Sequence, residues 1–236
     1  MKVLVVIPAY NEAENLPRVM AELKETVPEQ DYVVVNDGSG DGTSKLCRER
    51  GYHLMDLPAN LGLSGAFQAG IRYAIREGYE AVLQLDADGQ HDPRYIEKMK
   101  QKMEESGADL VIASRFVTEK KPFTLRMVGS RLIATAIRLT TGKKLTDPTS
   151  GMRLWGKGIL HEMAENINFR PEPDTLAYLI RSGAKAEEIQ ATMRERTAGE
   201  SYLSAGKSIK YMAQMCMNIL FIQWVLKPRR PEKTAS

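Results

Sequence analysis

Asp86-Ala87-Asp88 places two carboxylates two residues apart, directly after a short apolar run at 81–85. Side chains alternate along an extended chain, so carboxylates at i and i+2 can face one crevice. Unpaired carboxylates that close repel each other, and a hard divalent cation removes the repulsion. Mg2+ or Mn2+ suits such a pair, because each takes few protein ligands and completes its shell with substrate phosphates. The amide of Gln90 is a candidate further oxygen ligand. An Asp-x-Asp alone reads equally well as a solvated turn, so its neighbours must decide.

Two further polar loops supply that context. Pro8-Ala9-Tyr10-Asn11-Glu12 follows the apolar run 3–7, and Asn36-Asp37-Gly38-Ser39-Gly40-Asp41-Gly42-Thr43 closes the run 31–36. Tyr10 offers a stacking surface for a base, Glu12 a polar contact, and Asp37 an acceptor for a base or ribose. Glycines there let backbone approach a ligand closely. Each loop also reads as a plain helix start, with Asn11, Asp41 or Thr43 as cap.

The elements that must position these residues follow from the pattern. Strands at 3–7, 31–36, 81–85 and 109–113 are apolar enough to be buried on both faces. Helices are expected after Asn11, after Thr43, over 66–77 and after Asp92-Pro93. The alternation predicts an α/β, Rossmann-like, mostly parallel sheet with helices on both faces. In such a sheet ligands bind outside the carboxyl ends of the strands, where all three polar loops fall. Further on, 125–141 has helical periodicity, 174–181 reads as a short helix and 186–193 as a strand. Residues 203–226 read as an amphipathic helix. Its uncharged part, 211–226, is shorter than a bilayer span of about 20 residues. With Trp224 and Lys227-Pro228-Arg229-Arg230 beyond, it reads as an in-plane membrane helix or, alternatively, a dimer-forming or core helix.

The chain has 236 residues, a net charge of +3 and two cysteines, Cys47 and Cys216, without metal-ligand spacing. Free thiols and a first strand in place of a signal sequence predict a cytoplasmic protein. Between Arg115 and Lys144 eight Lys/Arg face one acid, Glu119, and from Arg194 onward eight face three. Two basic segments on an acidic body imply an anionic partner. No nucleic-acid motif is present, so phosphate or an anionic membrane surface at the inner face of the cell membrane is the expected one.

Taken together, the three loops resemble the family 2 glycosyltransferases of the GT-A fold, in order and separation as well as in letters. Over residues 1–202 the chain is most similar to the dolichyl- or polyprenyl-phosphate sugar synthases, leaving 203–236 as a membrane-associating or oligomerising appendage. The resemblance implies binding of a GDP- or UDP-linked sugar by Pro8, Tyr10, Glu12, Val35, Asp37, Ala87 and Asp88, with metal and diphosphate around Asp86, Asp88 and Gln90. It further implies that Arg115 and Arg196 serve the donor, and that Arg115, Arg126 and Ser130 receive the acceptor phosphate. Arg196 belongs to a segment that closes over the diphosphate. Asp147, in Asp147-Pro148-Thr149-Ser150-Gly151, lies on the sugar side. The chain departs from those synthases at Tyr202, where lysine is usual, and at Asn36, where aspartate is common.

The implied reaction is in-line, inverting transfer, with Asp88 and Arg196 beside the departing diphosphate. A phosphate acceptor needs no base; a hydroxyl of a lipid-linked or cell-wall glycan would need one, from Asp147, Glu172 or Asp174. A non-catalytic nucleotide-binding module is the reading from another class.

Overall fold

The computed structural model describes residues 1–166, 169–194 and 205–225, with side-chain surroundings for all but 125–126, 205–209 and 222–225. In chain order the elements are β1 (Val3–Ala9), α1 (Leu16–Thr26), β2 (Tyr32–Asp37), α2 (Thr43–Glu49), β3 (Leu54–Leu57) and α3 (Gly62–Arg76). They continue with β4 (Ala81–Gln84), α4 (Tyr95–Ser106), β5 (Leu110–Ser114), α5 (Leu125–Thr141) and β6 (Arg153–Gly156). The last are α6 (Lys157–Glu165), α7 (Pro173–Arg181), β7 (Ala186–Gln190) and α8 (Ala205–Val225).

Among the described residues seven strands form one sheet in the order β3-β2-β1-β4-β6-β5-β7. Only β6 runs against its neighbours β4 and β5. The alternation within β1 explains why its run is continuously apolar. Leu4 and Val6 face one core, with Phe67 and Ile71 of α3, while Val5 and Ile7 face the other, with Val19, Met20 and Leu23 of α1. A fully buried side chain of this size contributes about 1.5–3 kcal/mol, so both layers hold the sheet.

One expected helix start differs from what is seen, and two strands, β3 and β6, were not among those expected. The first helix begins at Leu16, not after Asn11. Asn11 instead sits at φ 56°, in the left-handed region that asparagine tolerates, and uses its side chain to bind the Gly40 N–H. The edge strand β3 is only half-buried, which leaves it little hydrophobic signal. The short β6 contains Arg153 and was not expected as a strand. Because β6 is reversed, with Arg153 opposite Gln84, the loop preceding it reaches the carboxyl end of β4.

Helix α8 packs on α5 and α7 and adds Met215 and Ile219 to the core that holds α3. Where α5 meets α8, Gly129 lies against the Met212 side chain, which would have to move to admit a Cβ. No described helix is long and apolar enough to cross a membrane.

Candidate active site

The carboxyl ends of β1, β2 and β4 open on a cavity of about 800 Å³. Pro8, Ala9, Tyr10, Glu12 and Asp37 line it from the first two strands, and Asp86, Ala87 and Asp88 from the third. The first two loops are stitched together. Asn11 N donates to Ser39 Oγ at 2.9 Å, Glu12 N to Thr43 Oγ1 at 3.1 Å, and Ala13 N to Asp41 Oδ2 at 3.0 Å. Asp37 is buried, and its Oδ1 accepts from Leu61 N at 2.7 Å. Gly38 is required here: its φ is +66°, and a Cβ would come within 2.7 Å of the Ala59 backbone.

Asp86 and Asp88 are fixed in different ways. Asp88 Oδ1 accepts from Gln90 N at 3.0 Å, a tight turn that Gly89 permits with φ +76°. Asp86 N donates to His91 Nδ1 at 3.1 Å, which puts the proton of a neutral His91 on Nε2, 3.7 Å from Asp86 Oδ2. Gly151 presses on the same carboxylate, for a Cβ there would lie 2.9 Å from Asp86 Oδ2. No cluster of three or more His, Cys, Asp or Glu suited to a metal exists among the described residues. Two cavity-lining carboxylates nevertheless fit Mg2+ or Mn2+, whose remaining positions go to water and phosphate oxygens. Gln90 does not line the cavity. Its side-chain amide reaches the Arg194 carbonyl at 3.4 Å, and its backbone supports Asp88.

The opposite wall comes from later in the chain: Ser130 and Ile133 of α5, Thr149, Glu172 before α7, and Tyr211 and Met212 of α8. Arg115 stands behind this wall. Its Nε and Nη2 grip Asp147 Oδ2 and Oδ1 at 2.7 and 2.9 Å, and Nη2 reaches Thr149 Oγ1 at 3.3 Å. Burial alone would raise the Asp147 carboxyl, yet hydrogen bonds and charge from Arg115 hold it below the usual range.

Residues 4–163 match the family described as Glycosyl transferase family 2. The undecaprenyl-phosphate mannosyltransferase of Micrococcus luteus is 34% identical over 87% of this chain and 89% of its own length. This chain belongs to glycosyl transferase family 2. The polyprenol monophosphomannose synthase of Mycolicibacterium smegmatis is 32% identical to this glycosyltransferase, over 89% of the chain and 83% of that protein. Among solved structures, glucosyl-3-phosphoglycerate synthase of Mycobacterium tuberculosis, in complex with Mn2+, UDP and phosphoglyceric acid, superposes with a TM-score of 0.67 at 15% identity. The match covers 93% of this chain and 78% of that one. The expected GT-A fold is thereby met.

The site residues that the sequence of the glycosyltransferase implied stand differently with respect to the cavity. Asp147, expected to be catalytic, is wholly buried, does not line the cavity and has both oxygens committed to Arg115. Val35 is wholly buried in the α3-side core and does not line the cavity. The Arg126 side chain, Arg196 and Tyr202 lie outside the described residues. Of the three candidate bases only Glu172 lines the cavity. Burial raises its carboxyl above the usual range, against the pull of a hydrogen bond from the Tyr211 hydroxyl and the charge of Arg153. Asp174 instead accepts from Asn218 Nδ2 of α8 at 3.0 Å.

Arg153 is the residue that sequence reasoning missed. Its buried guanidinium donates to the carbonyls of Ser150, Pro171 and Pro148 at 2.8, 3.0 and 2.8 Å. It thereby ties the loop beside Asp86 to the segment carrying Glu172. An arginine inside an otherwise apolar four-residue strand was the available signal. Tyr211 and Met212 carried none, since a tyrosine and a methionine on an apolar helix read as packing.

Proposed function

We propose that this glycosyltransferase moves a hexosyl group, mannosyl first among those to test, from a GDP- or UDP-linked donor onto a membrane-held polyprenyl phosphate, inverting the anomeric carbon. One observation carries the reading: a single cavity joins the loops after β1, β2 and β4 to Ser130 on the basic helix α5. The two relatives named for mannosyl transfer to polyprenyl carriers support it. Tyr10, Glu12 and Asp37 would hold the nucleoside. Asp86 and Asp88 would hold Mg2+ or Mn2+, which when bound offsets charge on the departing diphosphate. Arg196, which lies outside the described residues, would act beside that diphosphate. A phosphate acceptor is largely ionised at neutral pH, its second pKa being about 6, so no residue need take its proton.

The acceptor implies work at a membrane surface, and the outer face of α5 and α8 suits it. Leu132, Leu139, Met217, Leu220 and Phe221 are exposed there, with Arg138 exposed on the same helix as the two leucines. Apolar side chains beside cations suit an anionic bilayer surface. Co-sedimentation of the full chain with phosphatidylglycerol vesicles, lost in Leu139→Glu with Phe221→Glu, is the expected result. A stable dimer lacking vesicle binding would assign the face to a second copy.

A second reading, transfer to a glycan hydroxyl, is favoured by the position and raised carboxyl of Glu172. The deciding experiment offers radiolabelled GDP- and UDP-sugars with Mn2+ to the purified chain, together with undecaprenyl phosphate or a cell-wall lipid extract. Label on undecaprenyl phosphate is expected. Label only in the extract would replace the first reading with the second.

A further inference from the structure

The Ser130 hydroxyl lines the cavity, and its oxygen accepts a 2.9 Å hydrogen bond from the ammonium of Lys121. Lys121 belongs to the loop between β5 and α5, and α5 itself holds that loop: Arg131 Nη2 donates to the Lys121 carbonyl at 2.7 Å. The Phe116 ring supports the Lys121 ammonium and the Arg115 guanidinium together, at 5.3 and 5.2 Å from its centroid. Two independent contacts thus bring a loop lysine to a serine of the cavity wall.

Its ammonium has no acid in ion-pair contact among the described residues. Arg115 has a two-point ion pair with Asp147, whereas Lys121 makes no ion pair among the described residues. Burial pulls the ammonium below the usual lysine range; Asp147 and Glu188 pull the other way, while Arg115 and Arg131 add to the burial effect. A half-desolvated cation without a contacting counter-ion costs free energy, and an anion that reaches it recovers that cost through charge-assisted hydrogen bonds.

We propose that Lys121 is an anion-binding residue of this cavity, donating together with Ser130 to the non-bridging oxygens of a phosphate monoester. The Lys121–Ser130 hydrogen bond is the resting arrangement of that subsite, and Arg131 is its positioning residue. The assignment rests on the phosphate-acceptor reading above and adds a ligand that the motif Arg126–Ser130 does not contain.

The test titrates the full chain calorimetrically with geranyl phosphate and, separately, with inorganic phosphate. Wild type is compared with Lys121→Gln, Lys121→Arg and the exposed neighbour Lys120→Gln. Geranyl phosphate affinity is expected to fall about tenfold or more in Lys121→Gln, to recover largely in Lys121→Arg and to stay unchanged in Lys120→Gln. Affinity for GDP or UDP and the melting temperature should not move. Equal geranyl phosphate affinity in wild type and Lys121→Gln overturns the proposal, as does no binding by wild type. A parallel loss of nucleotide affinity and thermal stability also overturns it, because Lys121 would then be a structural tether. Inorganic phosphate binding as tightly as geranyl phosphate, with the same Lys121 dependence, would assign the subsite to free phosphate and still support the residue. Transfer to undecaprenyl phosphate is measured on the same preparations. Its absence, with Lys121-dependent binding intact, removes the acceptor reading alone.

Discussion

Asp147 and Arg115 face one another as a two-point ion pair, 2.7 and 2.9 Å long, with the aspartate wholly buried and the arginine partly exposed. Removing one partner of such a pair leaves a buried charge uncompensated and costs about 3–5 kcal/mol. Asp147→Asn is expected to lose stability of that order in urea unfolding at pH 7. The Asp147 carboxyl is lowered on folding, so its contribution is present above the unfolded value near 3.8 and is lost as pH falls through the folded value. Urea midpoints measured from pH 7 downward should therefore fall less steeply in Asp147→Asn than in wild type.

Asn36 answers to Asp56. Its Nδ2 donates to Asp56 Oδ1 at 2.6 Å, and Asp56 also accepts from Ser44 and Arg48. The aspartate common at this position in similar synthases would set two carboxylates against each other. Asn36→Asp should destabilise the fold by about 1–3 kcal/mol, read as a lower melting temperature at pH 7. The loss should shrink in the double variant Asn36→Asp, Asp56→Asn.

Loss of the Asp88 carboxylate should reduce sugar transfer about a hundredfold or more while the circular dichroism spectrum is retained. Chelation with EDTA should stop wild-type transfer, and Mn2+ should restore it. Unchanged turnover in Asp88→Ala, or full activity in EDTA, would remove the metal from the proposed reaction.

Glu172 separates the two acceptor readings. With a phosphate acceptor, Glu172→Gln should keep transfer within a few-fold, because nothing needs deprotonating. A general base would instead cost about 10²–10⁴-fold. The Glu172 carboxyl is raised on folding, so its stabilising contribution is present below the unfolded value near 4.5 and is lost as pH rises through the folded value. This is the opposite sense to Asp147, and Glu172→Gln should flatten stability over that higher range.

Gly129 lies against Met212 where α8 packs on α5. Gly129→Ala would drive a Cβ into the Met212 side chain, so Met212 must turn out or the helices must separate. Overpacking of this kind costs about 1–3 kcal/mol. Pairing the change with Met212→Ala should restore most of the lost melting temperature.

The sequence by itself determined the local part of this protein. Polar punctuation after each β-branched run located the carboxyl ends of β1, β2 and β4. The Asp86/Asp88 pair and the loops bearing Tyr10 and Asp37 could be placed there because strand and turn preferences act over a few residues. Most of the helices were legible for the same reason. What needed the tertiary structure were relationships across long stretches of chain. Asp147 meets Arg115 across 32 residues and spends its charge there. Arg153 joins the loops at Pro148 and Pro171 from within a strand too short to show a period. Tyr211 comes from the last described helix to reach Glu172, 39 residues earlier. Periodicity tells which face of α8 is apolar but not what covers it. Only the packing of α8 against α5 and α7 decides that this helix walls the cavity.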